Sequence, residues 1–359
     1  MSSVEQFRDS AQECFPYALA GKHNILSLAH SDVDGIASAA ILARALKQTG
    51  REVTTLITGK GENPWSATVS SRLAAYTPDL LFVSDLGSRE KPILSATPAV
   101  LIDHHRPLGA PPGAVLVSGY GVEPTPTSGL IAFWCVSALG EFDDLAWIAG
   151  LSVIADLGDE ALLDLLPITR QEMKSTIARD AISLLNAARR SAAGDATPAL
   201  SLLLKSNSPR QITSGEFPET AQLRAMREQV QAELMGARKL PPKFPPKSEK
   251  SAPVVIITMH SACQIHPLIA QQWRGRFKDR VVIAANTGYR PGFVHFSARS
   301  ASDDLNLLDF LRDYAPSDTD ESYGNGHNRA SGGALTYPAW NEFVAKLGYG
   351  PEMQLTLAA

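Results

Sequence analysis

Acidic and imidazole side chains occur in four short stretches of the chain. These stretches contain five aspartates and three histidines, namely His30, Asp32, Asp34, Asp85, Asp103, His104, His105 and Asp156. Carboxylate oxygens and imidazole nitrogens without a thiolate suit Mn²⁺ or Mg²⁺. Two such ions, held close together, bind the attacking and the leaving oxygen of a phosphoryl displacement and lower the pKa of a water between them. The pattern therefore predicts a two-metal centre for phosphoester hydrolysis.

Each stretch, taken singly, also has an ordinary explanation. A His-x-Asp-x-Asp-Gly sequence is more often a solvated loop than a site, and a lone Asp85 or Asp156 is commonly a helix cap or a turn former. Asp103 with two following histidines is a stronger signal, although a capping aspartate beside two surface imidazoles has the same sequence. Coincidence is a poor explanation only for the whole set.

Short apolar runs precede three of the four stretches and predict buried strands at residues 25–29, 80–83 and 99–102. Helical patterns follow at residues 36–46, 128–139 and 145–155, with Thr127 or Ser128 as a helix N-cap. Strands separated by helices favour an α/β fold with a parallel sheet, in which ligands gather at the carboxyl ends of the strands. We therefore expect the acidic and imidazole groups at one edge of the sheet.

The rest of the chain predicts a second domain. Residues 161–239 are mostly helical in pattern, residues 241–247 are proline-rich, and β-rich runs follow at residues 253–258, 280–285 and 292–297. We predict a catalytic domain at residues 1–190, a helical connector with a proline-rich linker at 191–250, and a smaller α/β domain with a mixed sheet at 251–359. The active site is expected in the cleft between the two domains.

Composition restricts the location and the partners of the protein. The chain is 44% hydrophobic with a net charge of −4, and no apolar run approaches the roughly 20 residues that span a bilayer. The polar N-terminus does not fit a secretory signal, and three scattered cysteines do not form a disulfide framework. We expect a cytoplasmic protein without a membrane segment, and the oligomeric state is left open.

Five segments resemble the motifs of the DHH phosphoesterase superfamily, which is named for an Asp-His-His triplet. In this chain they are His-Ser-Asp-Val-Asp-Gly at residues 30–35, Val-Ser-Asp at 83–85, Asp-His-His at 103–105, Ala-Asp at 155–156 and Gly-Asn-Gly-His-Asn-Arg-Ala-Ser-Gly-Gly at 324–333. The last segment is similar to the glycine-rich signature of the DHH-associated domain, with Asn325 in place of its middle glycine. The first is closer to RecJ-type nucleases than to family II pyrophosphatases.

This resemblance implies two bound Mn²⁺ ions, with Mg²⁺ as the alternative, and a hydroxide that bridges them as the nucleophile. Asp85 contacts both ions in this scheme. One ion is also bound by His30 and Asp32, and the other by Asp34, His104 and Asp156. The imidazole ligands favour Mn²⁺.

Asp103 and His105 are implied to support catalysis without binding a metal. Asp103 would orient an imidazole, as metal-bound histidines usually require. His105 would contact the scissile phosphate. With the bridging Asp85, these two residues form the expected catalytic set.

The C-terminal domain is expected to bind the substrate. A glycine-rich turn directs successive backbone N–H groups at an anion, and a plain turn is the alternative explanation. The expected substrate-binding residues are Arg299, Ser300, Gly326, His327, Gly332 and Gly333. Residues 272–300 also contain six basic residues against one acid, together with five aromatic residues, and this composition fits single-stranded nucleic acid although most of these aromatics are expected in the core.

The leading hypothesis is a Mn²⁺-dependent phosphodiesterase or exonuclease that releases mononucleotides from single-stranded DNA or RNA, short oligonucleotides or dinucleotides. The chain length leaves little room for an additional oligonucleotide-binding domain, which favours short substrates. Alternatives within the enzyme class are hydrolysis of cyclic dinucleotides, of 3′-phosphoadenosine 5′-phosphate, or of pyro- or polyphosphate. A catalytically silent nucleic-acid-binding accessory protein is the alternative from another class, and the complete set of predicted ligands argues against it.

Overall fold

The structure is a computed structural model that describes residues 3–156, 158, 160–168, 170–173, 176–246, 252–302, 304–319, 323–324 and 326–356. The chain divides into two compact units. The first comprises Met1–Arg189 and Asp195–Arg227, and the second comprises Arg190–Gly194 and Glu228–Ala359.

The first unit is built on five strands, β1 (Ile25–Ala29), β2 (Val53–Ile57), β3 (Leu80–Ser84), β4 (Ala99–Asp103) and β5 (Val115–Ser118). Its helices are α1 (Ser3–Leu19), α2 (Val33–Gln48), α3 (Ala67–Ala74), α4 (Ser128–Ser137), α5 (Ala146–Asp156), α6 (Arg170–Met173), α7 (Thr176–Arg190), α8 (Thr197–Lys205) and α9 (Pro209–Ser214). Short 3₁₀ helices lie at Asp143–Leu145 and Glu160–Leu165. The long helix α10 (Pro218–Ala237) continues from the first unit into the second.

All neighbouring strands of the first sheet are parallel, in the order β2-β1-β3-β4-β5. The strand order reverses at β1, since β2 lies on one side of it and β3 on the other. In open parallel sheets the carboxyl ends of the strands at such a switch point form a crevice for ligands. Strands β1 and β3 are buried along their whole length, which explains their continuous apolar sequences.

Helices cover the two faces of this sheet unequally. One face packs against α1, α2, α4 and α5 in a large core, in which the ring of Phe15 stacks on that of Phe82 with centroids 5.7 Å apart. The other face carries a smaller core around Trp65, Val69 and Leu73, supplied by α3 and the loop before it. The larger core therefore holds in place α2 and α4, the helices whose N-termini lie beside the strand ends.

The second unit contains a mixed sheet of the strands β6 (Val254–Met259), β7 (Val281–Asn286), β8 (Phe293–Arg299), β9 (Gly326–His327) and β10 (Ala330–Thr336). Their order is β6-β7-β8-β10-β9, where β6 and β7 are parallel and the remaining pairs are antiparallel. The accompanying helices are α11 (His266–Trp273), α12 (Leu307–Asp313) and α13 (Tyr337–Lys346), with 3₁₀ helices at Arg274–Arg276 and Pro351–Met353. The predicted combination of a parallel and a mixed sheet is confirmed.

The proline-rich segment is not helical over its described part, residues 241–246, as predicted. It forms one antiparallel bridge with the edge strand β6, in which Lys243 and Ile256 exchange backbone hydrogen bonds of 2.8 and 3.0 Å. The hydroxyl of Tyr349 donates to the Lys243 carbonyl oxygen at 2.9 Å. The segment is thus attached to the second sheet.

Among the described helices, none is both long enough and apolar enough to cross a membrane.

Two aromatic residues of α1 provide a matched test of the first core. Phe15 is fully buried, whereas Tyr17 is 79% exposed on the same helix. We expect Phe15→Ala to lower the free energy of unfolding by about 3–5 kcal/mol, because it removes a packed ring and leaves a cavity. Tyr17→Ala should change it by less than about 0.5 kcal/mol. Hydrogen exchange of the β3 amides measures both values, and equal effects would contradict the assigned packing.

Candidate metal centre

Backbone hydrogen bonds continue past the ends of the central strands and hold the following residues side by side. The amide of His30 donates to the Ser84 carbonyl oxygen at 3.0 Å, and the amide of Asp85 donates to the Ile102 carbonyl oxygen at 3.0 Å. The residues after β1, β3 and β4 therefore meet at one edge of the sheet. This is the placement that the strand pattern predicts.

A tight turn connects β1 to α2. Asp32 caps the helix and accepts a hydrogen bond from the Gly35 amide at 3.1 Å. A Cβ atom at Gly35 would lie 2.4 Å from the His30 carbonyl oxygen, so only glycine fits this turn. The turn directs Asp32 and Asp34 towards the strand ends.

The carboxylate of Asp34 is held by the N-terminus of α4. It accepts hydrogen bonds from the amides of Ser128 and Gly129 at 2.9 and 2.7 Å, and from the hydroxyl of Ser152 at 2.8 Å. A helix N-terminus favours an anion because its first amides lack partners within the helix. The carboxylate of Asp34 is thereby fixed in a buried position.

The six predicted metal ligands and His105 fall into three groups that share residues. The groups are His30 with Asp32 and Asp85, Asp34 with His104 and Asp156, and Asp85 with His104 and His105; within each, the ligand atoms lie within 4.8 Å of one another. Asp85 and His104 each belong to two groups. The ligand assignment itself stays a prediction.

Individual distances show how compact the cluster is. The Nδ1 atom of His30 lies 3.1 Å from Asp32 Oδ2 and 3.4 Å from Asp85 Oδ2. The Nε2 atom of His104 lies 3.7 Å from Asp34 Oδ2, 3.6 Å from Asp85 Oδ1 and 3.5 Å from Asp156 Oδ2. Oxygen and nitrogen donors thus point inward from four separate segments.

Asp85 has a left-handed backbone, with φ of 60°. Aspartate tolerates this conformation better than most residues, yet a strained residue of this kind persists only where its surroundings fix it. Asp85 is nearly fully buried, and the Ser128 hydroxyl donates to its Oδ1 at 3.2 Å. The strained backbone thus belongs to a residue that two of the three ligand groups share.

Asp103 orients His105 and does not belong to the three ligand groups. Its Oδ1 lies 2.9 Å from His105 Nδ1 and accepts a hydrogen bond from the His105 amide at 2.6 Å, while its Oδ2 accepts one from the Gly87 amide at 2.6 Å. Both carboxylate oxygens are therefore engaged. The geometry is that of a positioning residue.

Burial and neighbouring charges shift the pKa values of the carboxyl groups in the cluster, some upward and some downward. Burial, together with the charges of Asp32 and Asp34, raises the pKa of Asp85 well above its usual value. Burial and the charge of Asp34 raise the pKa of Asp156 to about 6. Burial opposes the ionisation of Asp32, but the charge and hydrogen bond of His30 lower its pKa well below the usual value.

Carboxylates hold two imidazoles in the charged form. Burial lowers the pKa of His30, but Asp32 and Asp85 outweigh it and raise this pKa to about 10. Burial also lowers the pKa of His105, but its hydrogen bond to Asp103 and the charge of that group raise it to about 9. The protons on His30 and His105 thus offset part of the negative charge of the surrounding carboxylates.

The cluster has the chemistry of a divalent cation site. Carboxylate oxygens and imidazole nitrogens without thiolate fit Mn²⁺ or Mg²⁺. Buried like charges are unfavourable together, and a cation would displace the protons that offset them, as metal binding generally does. The residues present therefore fit the metals that the sequence predicts.

Several supporting residues were not identified from the sequence. Ser152, Gly129 and Gly87 donate to the carboxylates of the cluster, and Arg189 Nη2 lies 3.8 Å from Asp32 Oδ2. The predicted N-cap at Thr127 is confirmed, with its hydroxyl accepting from the Leu130 amide. That cap predicts available amides after residue 127, but it does not indicate that Asp34 accepts from them.

The predicted substrate-binding residues lie in the second unit. Arg299 ends β8, as predicted, and its Nη1 donates to Ser297 Oγ at 2.7 Å and to the Ala298 carbonyl oxygen at 2.9 Å. Burial, with the charge of Arg274, lowers the pKa of Arg299 to about 10. The hydroxyl of Ser300 is engaged in a turn with Ser302.

The prediction of a glycine-rich turn is wrong for Gly332 and Gly333. Both lie in strand β10, where Gly332 pairs with Ser297 and Gly333 with Phe296. A Cβ atom at Gly332 would lie 2.5 Å from the Phe296 carbonyl oxygen, so close approach of two strands explains the glycine. Gly326 and His327 form the short strand β9, while Asn325 and the side chain of His327 lie outside the described residues.

Substitution of Asp156 tests whether repulsion between the buried carboxylates lowers the stability of the metal-free protein. Its pKa of about 6 exceeds the ordinary 3.8, so wild-type protein in a chelator loses stability as pH rises through this window, because the folded state retains a proton that the unfolded state has released. Asp156→Asn removes this penalty. With a discount for its one-third exposure, we expect the variant to gain about 1 kcal/mol above pH 6 and almost nothing near pH 4, measured by urea unfolding.

The same substitution should weaken Mn²⁺ binding by more than about tenfold in calorimetry. Asp144→Asn, at an exposed position of the same unit, is the control and should change neither property appreciably. A variant that lost stability at high pH and bound Mn²⁺ normally would contradict the proposed place of Asp156 in the cluster.

A comparison with family models identifies a domain within the first unit. Residues 24–154 match the profile described as the DHH family, N-terminal domain. A comparison with curated protein sequences gives no match.

Several solved structures are similar to the chain. RecJ from Thermus thermophilus in complex with Mn²⁺ is 20% identical, with a TM-score of 0.68 over 95% of this chain and 54% of that chain. Exonuclease RecJ bound to manganese is 20% identical, with a TM-score of 0.64 over 95% and 93%. CDC45 from Entamoeba histolytica is 10% identical, with a TM-score of 0.53 over 97% and 99%.

The chain spans about half the length of the Thermus thermophilus RecJ chain, and identities this low establish a common fold alone. The family match covers the segments that contain His30, Asp34, Asp85 and His104, and it ends two residues before Asp156. Residues 24–154 therefore match a DHH family N-terminal domain, and the chain shares the RecJ-like fold over 95% of its length.

Proposed function

We propose that this protein is a Mn²⁺-dependent phosphodiesterase, an exonuclease that hydrolyses single-stranded nucleic acid or short oligonucleotides to mononucleotides. The observation that carries the proposal is the sharing of Asp85 between two ligand groups whose atoms lie within 4.8 Å. Shared carboxylates of this kind suit a pair of ions better than a single ion. The similarity in fold to an exonuclease bound to manganese supports the choice of reaction.

The proposed ligand sets combine these groups, with Asp85 added to the group of Asp34, His104 and Asp156 because its Oδ1 lies 3.6 Å from His104 Nε2. One ion would be held by His30, Asp32 and Asp85, and the other by Asp34, Asp85, His104 and Asp156. Two ions bound there would activate water for attack on phosphorus and offset the charge that develops on the phosphate oxygens.

His105 supplies positive charge from the protein itself. The pKa of about 9 keeps its imidazole protonated at neutral pH, and Asp103 fixes the ring through Nδ1. An oriented imidazolium donates a charge-assisted hydrogen bond to a phosphate oxygen. We propose that this contact is stronger in the transition state, where the phosphate oxygens carry more charge.

Arg299 is proposed to bind a phosphate of the substrate. Its guanidinium is held by acceptors on two adjacent strands, Ser297 Oγ on β8 and the Ser331 carbonyl oxygen on β10 at 3.3 Å. A guanidinium restrained in this way loses little freedom when it binds an anion. Ser300, Gly326, His327, Gly332 and Gly333 are proposed to line the same subsite.

Removal of the shared carboxylate tests the reaction. We expect Asp85→Asn to lower Mn²⁺-dependent hydrolysis at least about 100-fold, since the loss of metal binding removes several kcal/mol of charge stabilisation. The substrates are labelled single strands from dinucleotides upward, a cyclic dinucleotide, 3′-phosphoadenosine 5′-phosphate and pyrophosphate. Asp9→Asn, on the half-exposed surface of α1, is the control and should retain full activity.

The pattern of products decides between the alternatives. Mononucleotide release from single strands supports the proposal, whereas turnover of the cyclic dinucleotide or the small phosphates alone would reassign the substrate. Nucleic-acid binding without Mn²⁺-dependent turnover of any of these compounds would contradict the proposal that the protein is an enzyme.

Asp103→Asn tests the role of His105. Without the carboxylate, the pKa of His105 should fall from about 9 towards its usual range, because Asp103 is the main group that raises it. The imidazolium is then lost at lower pH, so the alkaline limb of the kcat profile should move to lower pH. We also expect kcat near neutral pH to fall about 10- to 100-fold. An unchanged alkaline limb would contradict this role.

A further inference from the structure

The surface of the second unit carries aromatic and basic side chains that the proposed chemistry does not use. We name this surface the aromatic–basic patch, formed by Phe244, Trp273, Arg276, Phe277, Lys278 and Arg280. Phe244 is 49% exposed. An exposed aromatic ring in a patch with three cationic side chains favours a binding surface for an anionic ligand.

The rings of the patch contact one another in a row, in which Trp273 is buried, Phe277 is partly buried and Phe244 is exposed. Trp273 and Phe277 stack with centroids 5.8 Å apart and an interplanar angle of 4°. Phe244 meets Phe277 edge to face at 5.5 Å. The patch therefore extends from the buried core around Trp273 to the exposed ring of Phe244.

Guanidinium groups accompany these rings. The Cζ atom of Arg276 lies 4.6 Å from the Trp273 ring centroid, and that of Arg280 lies 5.7 Å from the Phe244 centroid. Residues 274–280 contain four cations and one acid, in a chain whose net charge is −4. A polyanion would thus be attracted here despite the acidity of the whole chain.

The exposed ring is held in place by its neighbours. Lys243 forms two backbone hydrogen bonds with Ile256 and accepts a third from the Tyr349 hydroxyl at 2.9 Å. Prolines occupy positions 241, 242, 245 and 246, and their rings restrict the backbone on both sides of Phe244. A ring fixed before binding loses little entropy when a ligand stacks on it.

We propose that the aromatic–basic patch binds single-stranded nucleic acid and holds a strand that is longer than a dinucleotide. Bases of a single strand stack on exposed rings, and adjacent cations contact the phosphates. A duplex has its base faces already stacked and offers them to no ring. The choice of polymer rests on the proposed function, whereas binding at the patch does not require hydrolysis.

Binding by the full-length chain tests the patch without catalysis. In the Asp85→Asn background, a labelled oligothymidylate of about 20 nucleotides should bind, and Phe244→Ala should raise its Kd about tenfold. Phe244→Trp should restore binding, because the larger ring still stacks. Arg276→Ala and Arg280→Ala should each reduce the slope of log K against log salt by about 0.7. Arg312→Ala, a 71% exposed cation on α12, is the matched control and should leave Kd unchanged.

Hydrolysis by the otherwise wild-type chain separates this inference from the proposed function. Phe244→Ala should leave dinucleotide hydrolysis unchanged and lower kcat/KM for the longer strand about tenfold. Unchanged Kd in a folded Phe244→Ala variant would overturn the inference, as would equal loss of binding to duplex and single strand. Binding of anionic vesicles in preference to the strand would overturn it as well. If no substrate is hydrolysed but the Kd changes are seen, the proposed function fails and the patch stands.

Discussion

The central constraint on this fold is the concentration of buried negative charge where the parallel strands end. Asp34, Asp85 and Asp103 are almost fully buried, and Asp32 and Asp156 lie against them. Such a set is stable only if protons, helix amides or cations offset the charge. The protein uses the first two in its own structure, through charged imidazoles and the α4 N-terminus, and the donor atoms left over suit the third.

This constraint explains features that are far apart in sequence. The glycine at position 35 permits the turn that brings Asp32 and Asp34 to the strand ends, and the left-handed backbone of Asp85 directs a third carboxylate to the same point. The helix that receives Asp34 begins 94 residues later in the chain. Stability and the proposed chemistry oppose each other here, since the groups that would bind metal are those that repel one another in its absence.

The sequence predicts the elements that contain these groups better than it predicts their partners. Continuous apolar runs identify β1, β3 and β4, because strands buried on both faces need apolar side chains at every position. The partly exposed edge strand β2 lacks such a run and was not predicted. Ser152 and Gly129 could not be assigned from sequence, since contacts over more than 90 residues depend on how helices pack. The glycines of β10 have the composition of a turn, although strand packing explains them.

The most direct test of the two-metal account is anomalous diffraction at the manganese edge from crystals of the full chain grown with Mn²⁺. The account predicts two peaks, with Asp85 between them, His30 and Asp32 at one, and Asp34, His104 and Asp156 at the other. A single peak, or two peaks without a shared Asp85, would contradict it.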